Sequence, residues 1–347
     1  MIKLGLLGAS HIHTPGFSDR LKERYDVDVV AVWDPDTAIA KKYANKLECS
    51  VAANTSSLLS IASLNAVVIL SQTNLHEMLV QEAVGANKHC FVEKPLGLGL
   101  HDAFQIREAV IDAGVMFQTG YFKRGLPINL YLRQLINDSA FGDISRIRID
   151  WGSEAVFKDK FNASTDWSWM ADQSQAGVGA FGDLGTHSID LLLFLMDKTS
   201  KLEAVTASFS SPLNSYPDCE ECGEALLRFE NGTIATISSS WIDMAQPTSV
   251  IISGTEGHAA VHNPPGTNDA RGGELFLISR NIKGATGLEP WKDLPAPWPT
   301  PLDLFLDAVI NDCPENLVSI GDAAHRCQVM DALIEAANDR RWVMIDS

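Results

Sequence analysis

The sequence predicts an α/β protein with two domains: a doubly wound parallel sheet over residues 1–122 and a second α/β domain over residues 123–347. Apolar strands alternate with helical stretches up to Gly120, which is typical of a parallel sheet with helices on both faces. Beyond Gly120, apolar and polar residues alternate within the strands, which predicts a large, mostly antiparallel open sheet. The length of 347 residues also exceeds what one hydrophobic core usually serves.

The N-terminal half contains apolar runs that we expect to be buried parallel strands. These runs cover residues 2–8, 27–33, 66–70 and 89–92. Thr14 and Pro15 predict a helix start, because threonine caps helices and proline suits the first helical position. The helical stretches cover residues 14–24, 37–46 and 76–85. This order predicts a strand–helix alternation that begins with the first residues of the chain.

The C-terminal half shows the sequence pattern of half-buried strands joined by turns. The strands are predicted at residues 144–151, 202–208, 225–229, 233–239 and 250–253. Asn231-Gly232 lies between two of them and is suited to a type I′ hairpin turn. A glycine-rich loop runs into an apolar helix within 177–197, a surface loop is expected at 262–274, and a final helix at 322–340.

Composition narrows the range of partners. The chain has 27 basic and 44 acidic residues, a formal net charge of −17, and no lysine or arginine run, so we expect no nucleic-acid partner. No signal peptide and no long apolar stretch is visible, so we expect a cytoplasmic protein without a membrane span. Cys219 and Cys222 form a lone pair, whereas a structural zinc site needs four ligands.

The first strand is followed by a possible dinucleotide site. Gly8 occupies the place of the first glycine in a phosphate-binding turn, and Asp34 ends the second strand, where an acidic residue binds the adenosine ribose. This position of Asp34 favours NAD over NADP. Ser10 and His13 stand where two further glycines are usual, so a strand–turn–helix without a ligand remains the alternative.

His11 and His13 permit a second interpretation, since two histidines that flank one residue can bind a metal. Metal-dependent hydrolase barrels place such a pair after their first strand. A barrel of that kind needs eight strand–helix repeats, and the antiparallel second half does not supply them. We therefore predict no metal ion.

Two segments carry a specific family resemblance. NKHCFVEKPLG spans residues 87–97 and GVGAFGDLGTHSID spans residues 177–190. In this order they resemble the Gfo/Idh/MocA oxidoreductase family, which is named for glucose–fructose oxidoreductase, inositol dehydrogenase and a rhizopine-catabolism protein. Similar residues at 71–76, 120–124, 166–167 and 239–241 extend the resemblance over nearly the whole chain.

The resemblance implies an N-terminal Rossmann domain that binds a nicotinamide cofactor and a C-terminal sheet that often forms the subunit contact, as in a homodimer or homotetramer. The expected cofactor residues are Gly8, Ala9, Ser10, His11, Ile12, Asp34, Ser71, Thr73, Asn74, His76, Glu93, Lys94 and Gln118. The expected substrate-binding residues are Tyr121, Lys123, Arg124, Asp166, Trp167 and Asp183, for which ordinary packing between domains is the alternative. Members of the family often have a cis peptide bond before Pro95.

Lys94, Asp183 and His187 are the candidate catalytic residues. An imidazole titrates near neutral pH, so His187 suits a base that takes the proton of an alcohol. Asp183 lies four residues earlier, on the same face if the segment is an α-helix. The Lys94 ammonium would stabilise charge on the oxygen. For each residue alone, a structural role is the alternative.

The sequence therefore predicts an NAD(P)-dependent oxidoreductase that acts on a hydroxyl carbon of a sugar, a sugar derivative or a cyclitol. Two other functions stay open. One is an enzyme of the glycosidase or lyase type that oxidises its substrate transiently and retains its cofactor. The other is a regulatory protein that binds a nucleotide without turnover.

Overall fold

A computed structural model gives the fold and describes residues 1–162, 164, 166–245, 248–263 and 273–345. In chain order the strands are β1 (Ile2–Leu7), β2 (Val27–Trp33), β3 (Ser50–Val51), β4 (Ala66–Ile69), β5 (His89–Val92), β6 (Phe117–Thr119), β7 (Ile144–Gly152), β8 (Leu202–Ser210), β9 (Cys222–Phe229), β10 (Ile234–Ser240), β11 (Thr248–Gly254), β12 (Gly257–His262), β13 (Glu274–Ser279) and β14 (Val343–Met344). The α-helices are α1 (Thr14–Glu23), α2 (Thr37–Leu47), α3 (Thr55–Leu59), α4 (His76–Gly85), α5 (Leu100–Ala113), α6 (Pro127–Asn137), α7 (Gln173–Ala176), α8 (Thr186–Met196), α9 (Pro301–Asn311) and α10 (Ile320–Asp339). Positions 264–272 of the predicted surface loop lie outside the described residues.

The chain divides into two compact units, each built from segments that are separated in sequence. The first unit comprises Met1–Gly120, Phe161–Gly177 and Pro299–Cys327, and the second comprises Tyr121–Lys160, Val178–Trp298 and Gln328–Ser347. The sequence analysis assigned 161–177 and 299–327 to the second domain, whereas the structure has both segments in the first unit. In α9, Phe305 packs edge to face on Phe91 of β5, with ring centroids 6.0 Å apart. No local sequence pattern predicts a contact between two residues that are so far apart in the chain.

The sheet of the first unit is parallel throughout, as predicted, with strand order β3-β2-β1-β4-β5-β6. This is the strand order of a Rossmann fold. Buried residues such as Leu4, Leu6, Val68 and Phe91 form its apolar core. The strand order reverses between β1 and β4, so the loops that follow these two strands form the crevice where such sheets bind ligands.

The second unit contains a sheet with strand order β13-β12-β11-β7-β10-β9-β8-β14. Its strand pairs are antiparallel except β7 with β10, which confirms the predicted large and mostly antiparallel sheet. Ile189 and Leu192 of α8 are buried in the same core as Ile147 and Ile237 of the sheet. The stretch Gln173–Met196 is long and apolar enough for a membrane span, but 89% of its apolar window is buried, as in a core helix.

The turn between β9 and β10 differs from the predicted type I′ geometry. Gly232 has φ +87°, but Asn231 does not have a positive φ, which a type I′ turn requires at both positions. The amide of Gly232 donates to the carbonyl of Phe229, and the amide of Phe229 donates to the carbonyl of Thr233. The loop, residues 230–232, therefore has three residues and a single left-handed glycine. This is the length that the predicted strand bounds leave, whereas the type I′ turn that Asn-Gly favours needs a loop of two residues.

Candidate active site

Gly8 follows β1 and lies at the reversal point of the parallel sheet. Its φ of +84° is in the left-handed region. A Cβ at this position would lie 2.7 Å from both the backbone N and the Cα of Ser71, which follows β4. Glycine is therefore required here both by the backbone angle and by the close approach of the two loops.

Asp34 lies at the carboxyl end of β2 and holds the loop that follows β1. Its Oδ2 accepts a hydrogen bond from the Ala9 amide at 2.7 Å, and its Oδ1 accepts one from the Asp36 amide at 2.8 Å. Burial raises the pKa of this carboxyl, although the two amides act in the opposite direction. An ionised carboxylate has about four acceptor positions, so Asp34 keeps the capacity to accept from the hydroxyls of a ribose.

The loop fits a dinucleotide in spite of Ser10 and His13. Neither residue has a positive φ, so a side chain at these two positions causes no backbone strain. Among the residues that the structure describes, the amides of Ser10 and Ile12 make no hydrogen bond. They lie four and two residues before the start of α1 at Thr14, and the helix has no side-chain cap. Unpaired amides at a helix N-terminus are suited to a diphosphate.

His11, His13 and Glu93 lie together beside this loop, with one potential ligand atom of each within 4.8 Å of the others. His11 Nδ1 accepts from the His13 amide at 3.2 Å, and His13 Nδ1 lies 3.1 Å from Glu93 Oε1. Burial lowers the pKa of His11 to about 3, so this ring is neutral. Burial raises the pKa of Glu93, but the nearby His13, His11 and Lys94 together, with the hydrogen bond to His13, outweigh it and lower the pKa below its usual value.

Two imidazoles and a carboxylate are donors that a transition metal can use. In this arrangement, however, the Nδ1 atoms of both rings already take part in hydrogen bonds. The three side chains therefore form a hydrogen-bonded network that joins the loop after β1 to the loop after β5.

Trp169, from a distant part of the sequence (residues 161–177), contacts the same loop. Trp169 is buried, and its Nε1 donates to the Ser10 carbonyl at 2.8 Å. The Trp169 ring also lies 5.9 Å from the His11 ring, between centroids. Asp166, predicted to bind substrate, forms an ion pair with Lys42 of α2 at 2.5 Å. In the first unit, Asp166 and Trp169 thus attach this segment to the nucleotide-binding sheet.

The other predicted cofactor residues follow β4 and β5 or, for Gln118, lie in β6. Ser71, Thr73, His76, Glu93, Lys94 and Gln118 are buried, whereas Asn74 is exposed. His76 Nδ1 lies 3.0 Å from the Pro95 carbonyl, and burial lowers the pKa of this histidine. Gln118 Oε1 accepts from the amides of Thr119 and Val318, which gives it a structural role. The peptide bond between Lys94 and Pro95 is cis.

In the second unit, Asp183 and His187 lie near the start of α8. Asp183 is part of a π-helical turn, Phe181–Gly185, that directly precedes α8, so the two residues do not share one regular α-helix as predicted. The turn is possible because Gly182 packs against Val178, where a Cβ would overlap the valine side chain. Asp183 Oδ2 accepts from Trp241 Nε1 at 3.2 Å.

Aromatic rings surround His187. The imidazole centroid lies 5.0 Å from the Trp151 ring, 5.2 Å from Phe122 and 6.0 Å from Tyr121. The Tyr121 hydroxyl in turn lies 3.2 Å from Thr186 Oγ1. These contacts fix the plane of a buried imidazole, which a residue that transfers a proton requires.

Lys123 and Arg124 have different surroundings although they are neighbours in sequence. The Arg124 guanidinium is buried and pairs with Asp190 of α8, with Nη2 2.5 Å from Oδ1. The Lys123 Nζ lies 3.7 Å from the centroid of the Trp151 ring. Arg124, predicted to bind substrate, is therefore engaged in the core of the second unit.

Phe122, Trp151, Trp169 and Trp241 were not predicted as site residues from the sequence. Trp151 ends a predicted strand, and Trp241 lies in a segment that resembles the family. The sequence therefore drew attention to both positions but assigned a function to neither. A single aromatic residue near a strand end is far more often core than site, and only the three-dimensional contacts distinguish the two cases.

Two family models match the chain. Residues 2–121 match the oxidoreductase family with an NAD-binding Rossmann fold, and residues 129–260 match the Gfo/Idh/MocA C-terminal domain. An uncharacterised oxidoreductase of Synechocystis is 27% identical over 210 residues, which is 60% of this chain and 53% of that protein. The chain thus matches about half the length of this relative.

Two further similarities concern sugar-acting proteins. A 1,5-anhydro-D-fructose reductase of Ensifer adhaerens is 26% identical over 281 residues, which is 79% of this chain and 81% of that protein. The structure of a levoglucosan dehydrogenase in complex with NADH superposes with a TM-score of 0.81 at 20% identity, covering 100% of this chain and 99% of that one. At this identity, the structural likeness shows the fold. From the two family models and the fold, the chain belongs to the Gfo/Idh/MocA family of NAD-binding oxidoreductases.

Proposed function

We propose that the chain interconverts a hydroxyl and a carbonyl group on one carbon of a sugar, a sugar derivative or a cyclitol, with NAD as the cofactor. The observation that carries the proposal is the arrangement around His187, whose imidazole is enclosed by aromatic rings while Trp241 holds Asp183. Aromatic faces suit the C–H groups of a sugar ring, and the polar groups suit its hydroxyls. The names of the anhydrofructose reductase and the levoglucosan dehydrogenase support the same substrate class.

When bound, NAD supplies the acceptor or donor of a hydride. The loop from Gly8 to Ile12 would hold the diphosphate through backbone amides, and Asp34 would accept from the adenosine ribose. The negative charge of Asp34 would repel the 2′-phosphate of NADP, which supports NAD as the cofactor.

His187 takes the proton of the substrate hydroxyl during oxidation and returns it during reduction. Asp183 orients the substrate or the imidazole, and Trp241 fixes the position of this carboxylate. The Lys94 ammonium stabilises the negative charge that develops on the reacting oxygen. Lys94 follows β5, at the edge where a parallel sheet binds its ligands.

The test is the rate of NADH formation with a panel of sugars and cyclitols. We expect His187→Ala and Lys94→Ala each to lower kcat about 100-fold or more, because each removes a group that acts on the reacting oxygen. The dissociation constant of NADH should change less than about threefold in His187→Ala, since His187 is not a predicted cofactor residue. In Lys94→Ala, which changes a residue of the predicted cofactor set, it should change much less than kcat does.

Two exposed residues provide matched controls, His101→Ala and Lys41→Ala, which should behave like the wild type. Wild-type turnover in both the His187 and the Lys94 variants would contradict the assignment. A regulatory protein would bind NADH but oxidise no alcohol. A cofactor-retaining enzyme would convert its substrate without net release of NADH.

The cellular location and the assembly are part of the same proposal. We place the enzyme in the cytoplasm as a homodimer or homotetramer that associates through the outer face of the second sheet. Support comes from the apolar side chains Ile234 of β10 and Ile278 of β13, which are about half exposed on that face. Exposed aliphatic side chains on a sheet are suited to association with another copy.

A further inference from the structure

Lys123 is a buried lysine that has no acidic partner among the residues that the structure describes. It is 5% exposed, and its Nζ packs on the face of Trp151 at 3.7 Å from the ring centroid. Within the part of the chain that the structure describes, no carboxylate forms an ion pair with it. Burial lowers the pKa of Lys123 to about 7, with no neighbouring charge acting in either direction.

This arrangement is unusual because buried charges in proteins are normally paired. The same segment demonstrates the normal case, since the adjacent Arg124 pairs with Asp190. The contact between the Lys123 ammonium and the Trp151 ring offsets only part of the cost of removing the ammonium from water. Within the described residues, Arg124 therefore has a counter-ion and the neighbouring Lys123 does not.

The position of Lys123 indicates what supplies the missing charge. The Trp151 ring that the ammonium contacts lies 5.0 Å from the His187 imidazole, between centroids. Lys123 and the candidate base His187 therefore both lie next to the Trp151 indole ring. Phe122, which precedes Lys123 in sequence, also contacts His187. A ligand that contacts both His187 and the Trp151 ring would lie on the aromatic group that also contacts the Lys123 ammonium.

We propose that the substrate is an anionic sugar or polyol whose carboxylate or phosphate group pairs with Lys123. This inference rests on the proposed function and specifies its substrate class. In the substrate complex the anion provides the counter-ion that the fold omits, and a charge-assisted hydrogen bond forms in a site with little water. A neutral sugar leaves the ammonium unpaired and therefore binds less well.

The experiment compares sugars that differ only at one carbon: glucose, glucuronate and glucose 6-phosphate, and the same set in the galactose series. Each is tested as a substrate with NAD on the wild type, Lys123→Met, Lys123→Arg and the exposed control Lys201→Met. We expect wild-type kcat/KM to be at least about 10-fold higher for one anionic form than for the neutral sugar. The preferred form then distinguishes a carboxylate from a phosphate.

The variants separate charge recognition from a general loss of activity. We expect Lys123→Met to lower kcat/KM for the anionic sugar about 10- to 100-fold more than for the neutral sugar. Lys123→Arg should keep part of the preference because it keeps the charge, and Lys201→Met should equal the wild type. Equal losses on both kinds of sugar in Lys123→Met, or a wild-type preference for neutral sugars, would overturn the proposal.

A binding measurement separates failure of this inference from failure of the proposed function. The thermal midpoint of the NADH-bound protein is measured with each sugar, which requires no turnover. Stabilisation of the wild type by the anionic member, lost in Lys123→Met, supports the inference even if no alcohol is oxidised. No stabilisation by any anionic sugar contradicts it, even if neutral sugars are turned over. A methionine in place of a buried lysine is well tolerated by an apolar environment, so unfolding should not obscure the comparison.

Discussion

The buried ion pair between Arg124 and Asp190 joins the segment before α6 to α8 in the second unit. The guanidinium makes several hydrogen bonds to the carboxylate, with donor–acceptor distances from 2.5 to 3.1 Å, and Asp190 has no exposed surface. A pair of this kind contributes less through its attraction than it costs to break, because the remaining charge stays buried.

We therefore expect Asp190→Asn to lower the free energy of unfolding by about 3–5 kcal/mol, since it removes the negative charge that the buried Arg124 guanidinium faces in the core. Urea denaturation measures this change. The matched control is Asp197→Asn, which breaks the more exposed pair with Arg133 and should cost about 0–1 kcal/mol. Similar small losses in both variants would show that Arg124 has another partner of equal strength.

His11 predicts how stability depends on pH. Burial lowers its pKa from 6.5 to about 3, so the unfolded chain binds a proton below pH 6.5 that the folded protein does not bind. The stability associated with this neutral ring is fully present above pH 6.5 and is lost as the pH falls from 6.5 towards 3. Each pH unit in this window costs up to about 1.4 kcal/mol.

Urea denaturation at a series of pH values tests this effect. We expect His11→Asn to show a shallower loss of stability between pH 6.5 and 4.5 than the wild type, because asparagine keeps an acceptor for the His13 amide but does not titrate. His101→Asn changes an exposed histidine and should retain the wild-type slope. An unchanged slope in His11→Asn would show that other groups cause the acid sensitivity.

Backbone requirements at single residues were visible in the sequence, whereas side-chain environments were not. Gly8 was predicted from the glycine that a phosphate-binding turn needs, and the structure gives it a left-handed φ. The pairing of Arg124 with Asp190 and the packing of Lys123 on Trp151 depend on residues far apart in the chain. No local pattern encodes such contacts, so the sequence alone placed both cations together as substrate residues.

At the scale of elements, buried regular segments agreed well with the sequence pattern. β2, β5 and α4 have the predicted bounds, because apolar runs or helix periodicity end there at clear turn residues. The sequence analysis did not identify α9, although Thr300 caps it and Pro301 begins it, as Thr14 and Pro15 do for α1. The residues before Thr300 are rich in proline and favour a loop. The helix start at Thr300 and Pro301 is therefore easily overlooked in the sequence.

The segment 161–177 contributes to the first unit through Trp169, whose indole donates to the Ser10 carbonyl in the predicted cofactor loop. We expect Trp169→Phe to weaken NADH binding about 3- to 10-fold, because the loop loses one of the hydrogen bonds that hold it. Isothermal calorimetry measures this change.

Trp291→Phe is the control for Trp169→Phe, since it removes a similar indole-to-carbonyl hydrogen bond, to Asp293, in the second unit. Its affinity for NADH should equal that of the wild type. If Trp169→Phe also binds NADH with wild-type affinity, the segment 161–177 is not needed to shape the cofactor loop.

For the whole molecule, the strand order and the family followed from patterns that span many residues. Alternating strands and helices predicted the parallel sheet, and two glycine-containing segments in the right order indicated the family. The division into units was harder to predict from the sequence. Residues 161–177 and 299–327 belong to the first unit although each follows a segment of the second unit in the chain. This division depends on tertiary packing, as between Phe305 and Phe91, and not on the composition of the segments.

The most direct test of the account is a fluorescence titration of the purified protein with NADH, with NADPH in parallel. The loop after β1 has a left-handed Gly8, amides at Ser10 and Ile12 that make no hydrogen bond to the described residues, and Asp34 at the end of β2. The account predicts saturable binding of NADH and at least about 10-fold weaker binding of NADPH, because Asp34 repels a 2′-phosphate. Absence of NADH binding, or a preference for NADPH, would contradict the proposed role of this loop.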